Sequence, residues 1–181
     1  MGQYFKWCIK LNDTYYQFIE IYWLESGMKL SEIAHLDNIY MLRLEKLISK
    51  GNLWYKQKLI LAGDYTTYIE PYEYNLFTLS ENTTISRNSI DITTEYIHQD
   101  KNILKENYMV KINEFQYICN HDTKEYIDKK KLIRYIHPLA ILCNECVDVD
   151  VGDGSSGKWC CNRISVENII PDDFTEYIFF E

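Results

Sequence analysis

Residues 4–23 decide the fold: Tyr4-Phe5-Lys6-Trp7-Cys8-Ile9-Lys10-Leu11, a turn at Asn12-Asp13, then a run from Tyr15 to Trp23. Phe5, Trp7, Ile9 and Leu11 share one face of an extended chain, and Tyr4, Lys6, Cys8 and Lys10 share the other. The Asn-Asp pair supplies turn chemistry and the aromatic, β-branched run returns as far as Gly27, so the stretch reads as a β-hairpin. A second hairpin has the same grammar, with Phe115 to His121, a turn at Asp122-Thr123-Lys124, and Glu125 to Asp128. Further strands are expected at Lys56 to Ala62, Leu139 to Leu142 and Trp159 to Val166. Pro171 precedes a closing strand from Phe174 to Phe180.

One helix stands out between the hairpins. Asp37 is placed to cap it, and Ile39, Tyr40, Met41, Leu42, Leu44, Leu47 and Ile48 give it a broad apolar face. Arg43, Lys46 and Lys50 form a polar stripe, and Gly51 suits the position after the last turn. Residues 29–36 read as a short preceding turn of helix. Residues 66–100 read as a loop-rich excursion and 143–157 as an acidic, Gly-rich loop. These elements predict a single α+β domain over 1–181, a mainly antiparallel sheet of hairpins with one well-packed amphipathic helix.

The chain has 181 residues, a net charge of −8, 46% apolar residues and 16 tyrosines, enough for one cored domain and too apolar for wholesale disorder. No apolar run approaches the ~20 residues of a membrane helix, and the opening decapeptide has no signal-peptide core. Residues 143–181 carry nine acids against two bases, which argues against a phosphate-binding surface in that part of the chain. The basic cluster Lys129-Lys130-Lys131, with Lys124 and Arg134, reads as a solvated turn. Neither nucleic acid nor membrane is expected as a partner, and the expected location is the cytoplasm. Six cysteines without a secretion signal are expected to be reduced.

Several strings imitate known chemistry. Gly152-Asp153-Gly154-Ser155-Ser156-Gly157-Lys158 satisfies most of a phosphate-binding loop. However, Trp159 stands where a Ser or Thr must reach Mg²⁺, the following residues favour a strand, and nearby aspartates would repel phosphates. Asp148, Asp150 and Asp153 imitate a calcium loop, but its later positions are occupied by Gly152, Asp153 and Trp159. Cys143-x-x-Cys146 followed by Cys160-Cys161 approaches zinc-ribbon spacing. Adjacent cysteines in a strand point to opposite faces, so only one of that pair could ligate, and His137, His121 or Cys119 would have to complete the set. The alternative is that these cysteines are small core residues. Asp64, with Tyr65, sits where a strand ends, a common place for a site. His121 begins a turn and His137 precedes Pro138.

The motifs Met1-Gly2-Gln3-Tyr4-Phe5-Lys6, Ala62-Gly63-Asp64-Tyr65, Asn120-His121 with Lys124 and Tyr126, His137-Pro138-Leu139, Trp159 with Arg163-Ile164, and Ile170-Pro171 with Phe174 run nearly end to end. In this the chain resembles a family of uncharacterised bacterial and viral proteins that open MGQYYK. Asn162 departs from an aspartate in that signature, and the cysteines at 143, 146, 160 and 161 lie outside it. The resemblance implies no activity. The Ile-, Lys-, Asn- and Tyr-rich composition suits an AT-rich genome such as that of a large DNA virus, whose product would work in the host cytoplasm.

The leading expectation is a non-catalytic binding or protein-interaction module, its protein or small-molecule partner met in a groove lined by Asp64, Tyr65, His121 and His137. Abundant tyrosines suit such a surface. One alternative is a zinc-stabilised module using Cys143, Cys146, one of Cys160 and Cys161, and a fourth ligand. The other is an enzyme acting on a small or nucleotide-like molecule, with Asp64 and His137 as acid and base.

Overall fold

A computed structural model describes residues 3–12, 15–19, 28–66, 75–81, 93–97, 114–133, 135–145 and 154–179. Its strands are β1 (Tyr4–Lys10), β2 (Tyr15–Ile19), β3 (Met28–Lys29), β4 (Gln57–Gly63), β5 (Thr93–Ile97), β6 (Tyr117–Asn120), β7 (Glu125–Asp128), β8 (Asn162–Glu167) and β9 (Thr175–Glu176). The helices are α1 (Leu30–Ile33), α2 (Ile39–Ile48), α3 (Leu76–Glu81) and α4 (Pro138–Leu142), with a 3₁₀ turn at Lys129–Lys131. The strands form one sheet in the order β5-β2-β1-β4-β8-β6-β7-β9, and β3 also pairs with β1. Pairing is antiparallel except at β2–β5 and β7–β9, so the protein is a mixed α/β fold with a mostly antiparallel sheet and few helices. No helix among the described residues is long and apolar enough to cross a membrane.

Strand alternation divides the sheet into two faces. On the first, Phe5, Trp7, Ile9, Leu59, Leu61, Ile118, Ile127, Ile164 and Val166 meet Met41, Leu44 and Ile48 of α2 and the apolar turn of α4. Trp54 and Trp159 are fully buried there, and their indole N–H groups donate to Gln17 Oε1 at 2.7 Å and Glu125 Oε2 at 3.0 Å. That satisfies the polar edge that otherwise makes a buried tryptophan costly. On the second face Cys8, Tyr16, Phe18, Ile60 and Ala62 form a smaller cluster under Leu76 of α3. Because β4 is covered on both sides, Leu59-Ile60-Leu61-Ala62 is a continuous apolar run instead of an alternating one.

Several local expectations are corrected. Residues 139–142 are helical, because Pro138 occupies the first turn and the His137 side chain accepts the Leu139 amide as an N-cap. Asn38, not Asp37, caps α2 through the Tyr40 amide at 2.8 Å, and Gly51 (φ +83°) lies in the following turn. Residues 159–161 belong to a turn before β8, and the closing strand contracts to two residues. The 66–100 excursion contains α3 and β5. Trp23, Gly27 and residues 146–153 lie outside the described residues.

The basic cluster is not wholly solvated either. The Lys129 side chain is 4% exposed, and its ammonium donates to Glu45 Oε1 at 2.6 Å; the Glu45 side chain is 1% exposed. His137 Nε2 lies 2.9 Å from the same oxygen, and its Nδ1 accepts the Leu139 amide at 3.3 Å. An Nδ1 that accepts is unprotonated, so His137 is neutral with its proton on Nε2 facing Glu45. Burial lowers the pKa of His137, against the pull of Glu45. Burial alone would raise the Glu45 carboxyl, but His137 and Lys129 outweigh it and hold it below its usual range.

Removing one member of a buried pair strands the other charge at about 3–5 kcal/mol. Glu45→Gln should therefore destabilise the protein by about that much in denaturant melts. The double variant Glu45→Leu, Lys129→Met should recover most of the loss.

Candidate functional site

The structure places the four expected binding residues in three different settings. Asp64 follows β4 and clasps β1: its amide donates to the Tyr4 carbonyl at 3.0 Å, and its Oδ1 accepts the Tyr4 amide at 3.1 Å. Its carbonyl also accepts from Asn75 Nδ2 at 3.0 Å, tying down the residue that precedes α3. Tyr65, beside it, is 63% exposed. His137 is enclosed among Glu45, Lys129 and α4 on the first face, with both ring nitrogens engaged. His121 stands on the second face. The sheet thus separates the two histidines, and Asp64 and His137 answer to different partners instead of forming an acid/base pair.

Around His121 the second face carries a polar cluster. Strand parity puts Arg163, Ser165 and Glu167 of β8 opposite the core, while Ile164 and Val166 enter it. Cys119 of β6 pairs with Ser165, and Tyr117 with Glu167. The Ser165 hydroxyl donates to Glu167 Oε1 at 2.8 Å, and His121 Nε2 lies 2.8 Å from Ser165 Oγ. A hydroxyl has one proton, so Ser165 accepts from His121 and the imidazole is the Nε2–H tautomer. Among the described residues no hydrogen bond occupies Nδ1, which remains an open acceptor. The ring is braced edge-on by Phe174, with centroids 5.3 Å apart.

Burial and the nearby cations together favour the neutral imidazole. Burial lowers the His121 pKa first, and Lys56 and Arg163 lower it further against Glu167 and Asp122. Asp122 grips Arg163 through the backbone amide at 2.8 Å and Nε at 2.6 Å, which holds its carboxyl below the usual range despite partial burial. Burial and Glu167 push the Tyr55 hydroxyl to about 12, and the same two causes push the Cys119 thiol to about 12. Cys119 is therefore a poor nucleophile. The arrangement can accept a hydrogen bond or a proton at a fixed nitrogen beside cationic and aromatic side chains.

The C-terminal cysteines divide between the two apolar clusters. Cys143 is buried on the first face, its thiol 3.9 Å from the Trp159 carbonyl, and burial raises its pKa well above the ordinary value. Cys160 and Cys161 are half-buried against the second-face cluster, with Cys161 at φ +61°. Cys146 lies outside the described residues. Among the described residues no group of three or more His, Cys, Asp or Glu side chains is placed to hold a metal ion.

No family model, curated protein or solved structure matches this chain. The site therefore rests on geometry. Sequence reasoning missed Ser165, Glu167 and Tyr55, although the alternation Arg163-Ile164-Ser165-Val166-Glu167 already places three polar side chains together on one face.

It also missed Glu145, which burial raises to about 7 against a hydrogen bond from Thr66, and whose Oε2 has no hydrogen-bond partner among the described residues. Its ordinary value is 4.5. Between these values the unfolded chain ionises while the folded one holds its proton, so stability falls as pH rises and the penalty is complete above about 7. Glu145→Gln should leave stability unchanged near pH 4.5 and raise it by about 2–3 kcal/mol at pH 8, read from paired urea melts.

Proposed function

We propose that the protein is a non-catalytic binding module whose recognition surface is the second sheet face at β8, β6 and β7. One observation carries this reading. His121 has its tautomer fixed by the Ser165–Glu167 relay, while its Nδ1 faces away from that relay as an open acceptor. Half-exposed Tyr117 and Tyr126, packed edge to face at 5.7 Å, and exposed Arg163 extend the surface. Rigid aromatic rings and arginine are the residue types that recognition surfaces favour. Of the residues expected from the sequence, His121 would face the ligand, while Tyr65, past the far end of β4, would lie outside this surface. Asp64 and His137 would serve the framework. The site would lie on one cytoplasmic domain, whose single well-packed amphipathic helix α2 backs the opposite face.

A second reading is favoured by the same relay. A histidine oriented by a carboxylate through a hydroxyl is also a suitable general base. A metal-stabilised module remains testable by mass spectrometry on untagged protein, where one zinc per chain would favour it.

A thermal-shift screen of small anions, sugars, nucleosides and short peptides tests the main reading. A ligand at a hundredfold excess over its Kd stabilises by about 2.7 kcal/mol. Compounds that raise Tm are expected to lose most of that gain in His121→Ala and Tyr126→Ala. If they act equally on wild type and both variants, the surface has been misplaced.

A further inference from the structure

We infer that this surface recognises the phosphate group of a small, hydroxyl-bearing phosphorylated molecule, a deepening that rests on the binding-module reading above. The inference begins with strand register. Lys10 of β1 lies directly opposite Lys58 of β4, and Lys58 directly opposite Arg163 of β8. All three share the second face by parity, and His121 is next in line, its amide donating to the Arg163 carbonyl at 2.9 Å. Like charges directly opposite on neighbouring strands are destabilising, and sheets ordinarily pair opposite signs there. The Lys58–Arg163 pairing is therefore a local conflict, of the kind expected at functional positions.

The neighbours do not fully resolve that conflict. Asp122 engages Nε and Nη2 of Arg163, leaving Nη1 without a hydrogen bond among the described residues, and lies near enough to Lys58 to be influenced by it. Lys58 itself is exposed and has no ion-pair partner among the described residues. Lys56 adds a fourth cation. It is exposed, held at φ +56°, and its ammonium lies 5.1 Å from the Tyr55 ring centroid. Lys56 lies in the turn before β4, outside the strand alternation, and with Arg163 it acts electrostatically on His121.

A guanidinium with a free end beside two ammonium groups suits a phosphate. The open Nδ1 of His121 would accept from a hydroxyl near that phosphate. The cationic zone is also short. Asp122 and Glu167 flank it, and Asp128 and Glu176 lie toward the β7–β9 edge. A long polyanion would meet those carboxylates, so a single phosphate group is favoured over a nucleic-acid strand.

Backbone amide NMR shifts at matched ionic strength test the proposal, with inorganic phosphate, glycerol phosphate, glycerol and sodium chloride as probes. The two phosphates are expected to shift the amides of Lys58, His121 and Arg163, while glycerol and chloride leave them in place. Lys58→Gln should weaken phosphate binding at least about tenfold, the loss of one charge-assisted contact. Without ligand it should unfold no earlier than wild type, because it relieves repulsion. His121→Ala should weaken glycerol phosphate more than inorganic phosphate. Lys50→Gln, at an exposed lysine in the turn after α2, should change nothing.

The proposal is overturned if phosphate leaves those amides unmoved, if Lys58→Gln binds as wild type, or if a short oligonucleotide binds more tightly than glycerol phosphate. If phosphates fail while another screened compound still shifts β6 and β8 amides, only the ligand class is wrong. If no compound perturbs them, the binding-module reading falls as well.

Discussion

The Glu45 carboxylate is almost completely shielded from water, and three separate segments converge on it. It projects from α2. Lys129 reaches it from the 3₁₀ turn that follows β7, and His137 reaches it from the residue that caps α4. An ionised carboxylate in such a place is tolerable only while its partners hold, since an unpaired buried charge costs several kcal/mol. Its Oε1 takes both hydrogen bonds, and Oε2 has no partner among the described residues. The network therefore specifies an arrangement more than it adds stability. Lys129 and His137 are fixed relative to α2, and with them the exit of β7 and the start of α4.

That fixing bears on the opposite face. β7 pairs with β6, and β6 with β8, so locking the end of β7 against α2 leaves the three strands little freedom to shift register. A one-residue slip would turn Arg163, Ser165 and Glu167 into the core and Ile164 and Val166 to the second face. The polar cluster around His121 thus exists because the first face is packed. Bonds donated by the Arg163 amide to Asp122, and by the Gln116 amide to Asn168, pin the two ends of the β6–β8 pairing.

The strands were legible because alternation is a local signal. Phe5, Trp7 and Ile9 announce the first face with no knowledge of what lies against it. The PLAIL segment was not legible in the same way. Five apolar residues fit a buried strand or a buried helical turn equally well by periodicity, and the deciding signal was Pro138 in the first position with a capping side chain before it. Glu45 was hidden among the charged residues of α2, because position on the helix, not residue type, determines that it faces inward. His121 could be singled out as a turn residue, but Ser165 is 44 positions away. No spacing rule joins a turn histidine to the middle of a strand so distant in sequence. Only the pairing of β6 with β8 brings them together.

The two histidines show how one side chain, neutral in both cases, serves different ends. His137 is neutral because it is fully buried and a helix amide uses its Nδ1 lone pair, so no hydrogen-bonding capacity remains for a ligand. His121 is neutral because partial burial and two nearby cations oppose its proton, and its fixed bond runs through Nε2. The nitrogen left over is the one without a hydrogen-bond partner among the described residues. A residue kept only for structure needs no such asymmetry, since a threonine or glutamine could satisfy Ser165 without depressing a pKa beside Lys56 and Arg163. Under the binding-module proposal, the relay behind His121 is the means of presenting Nδ1, and the second face is the contact surface.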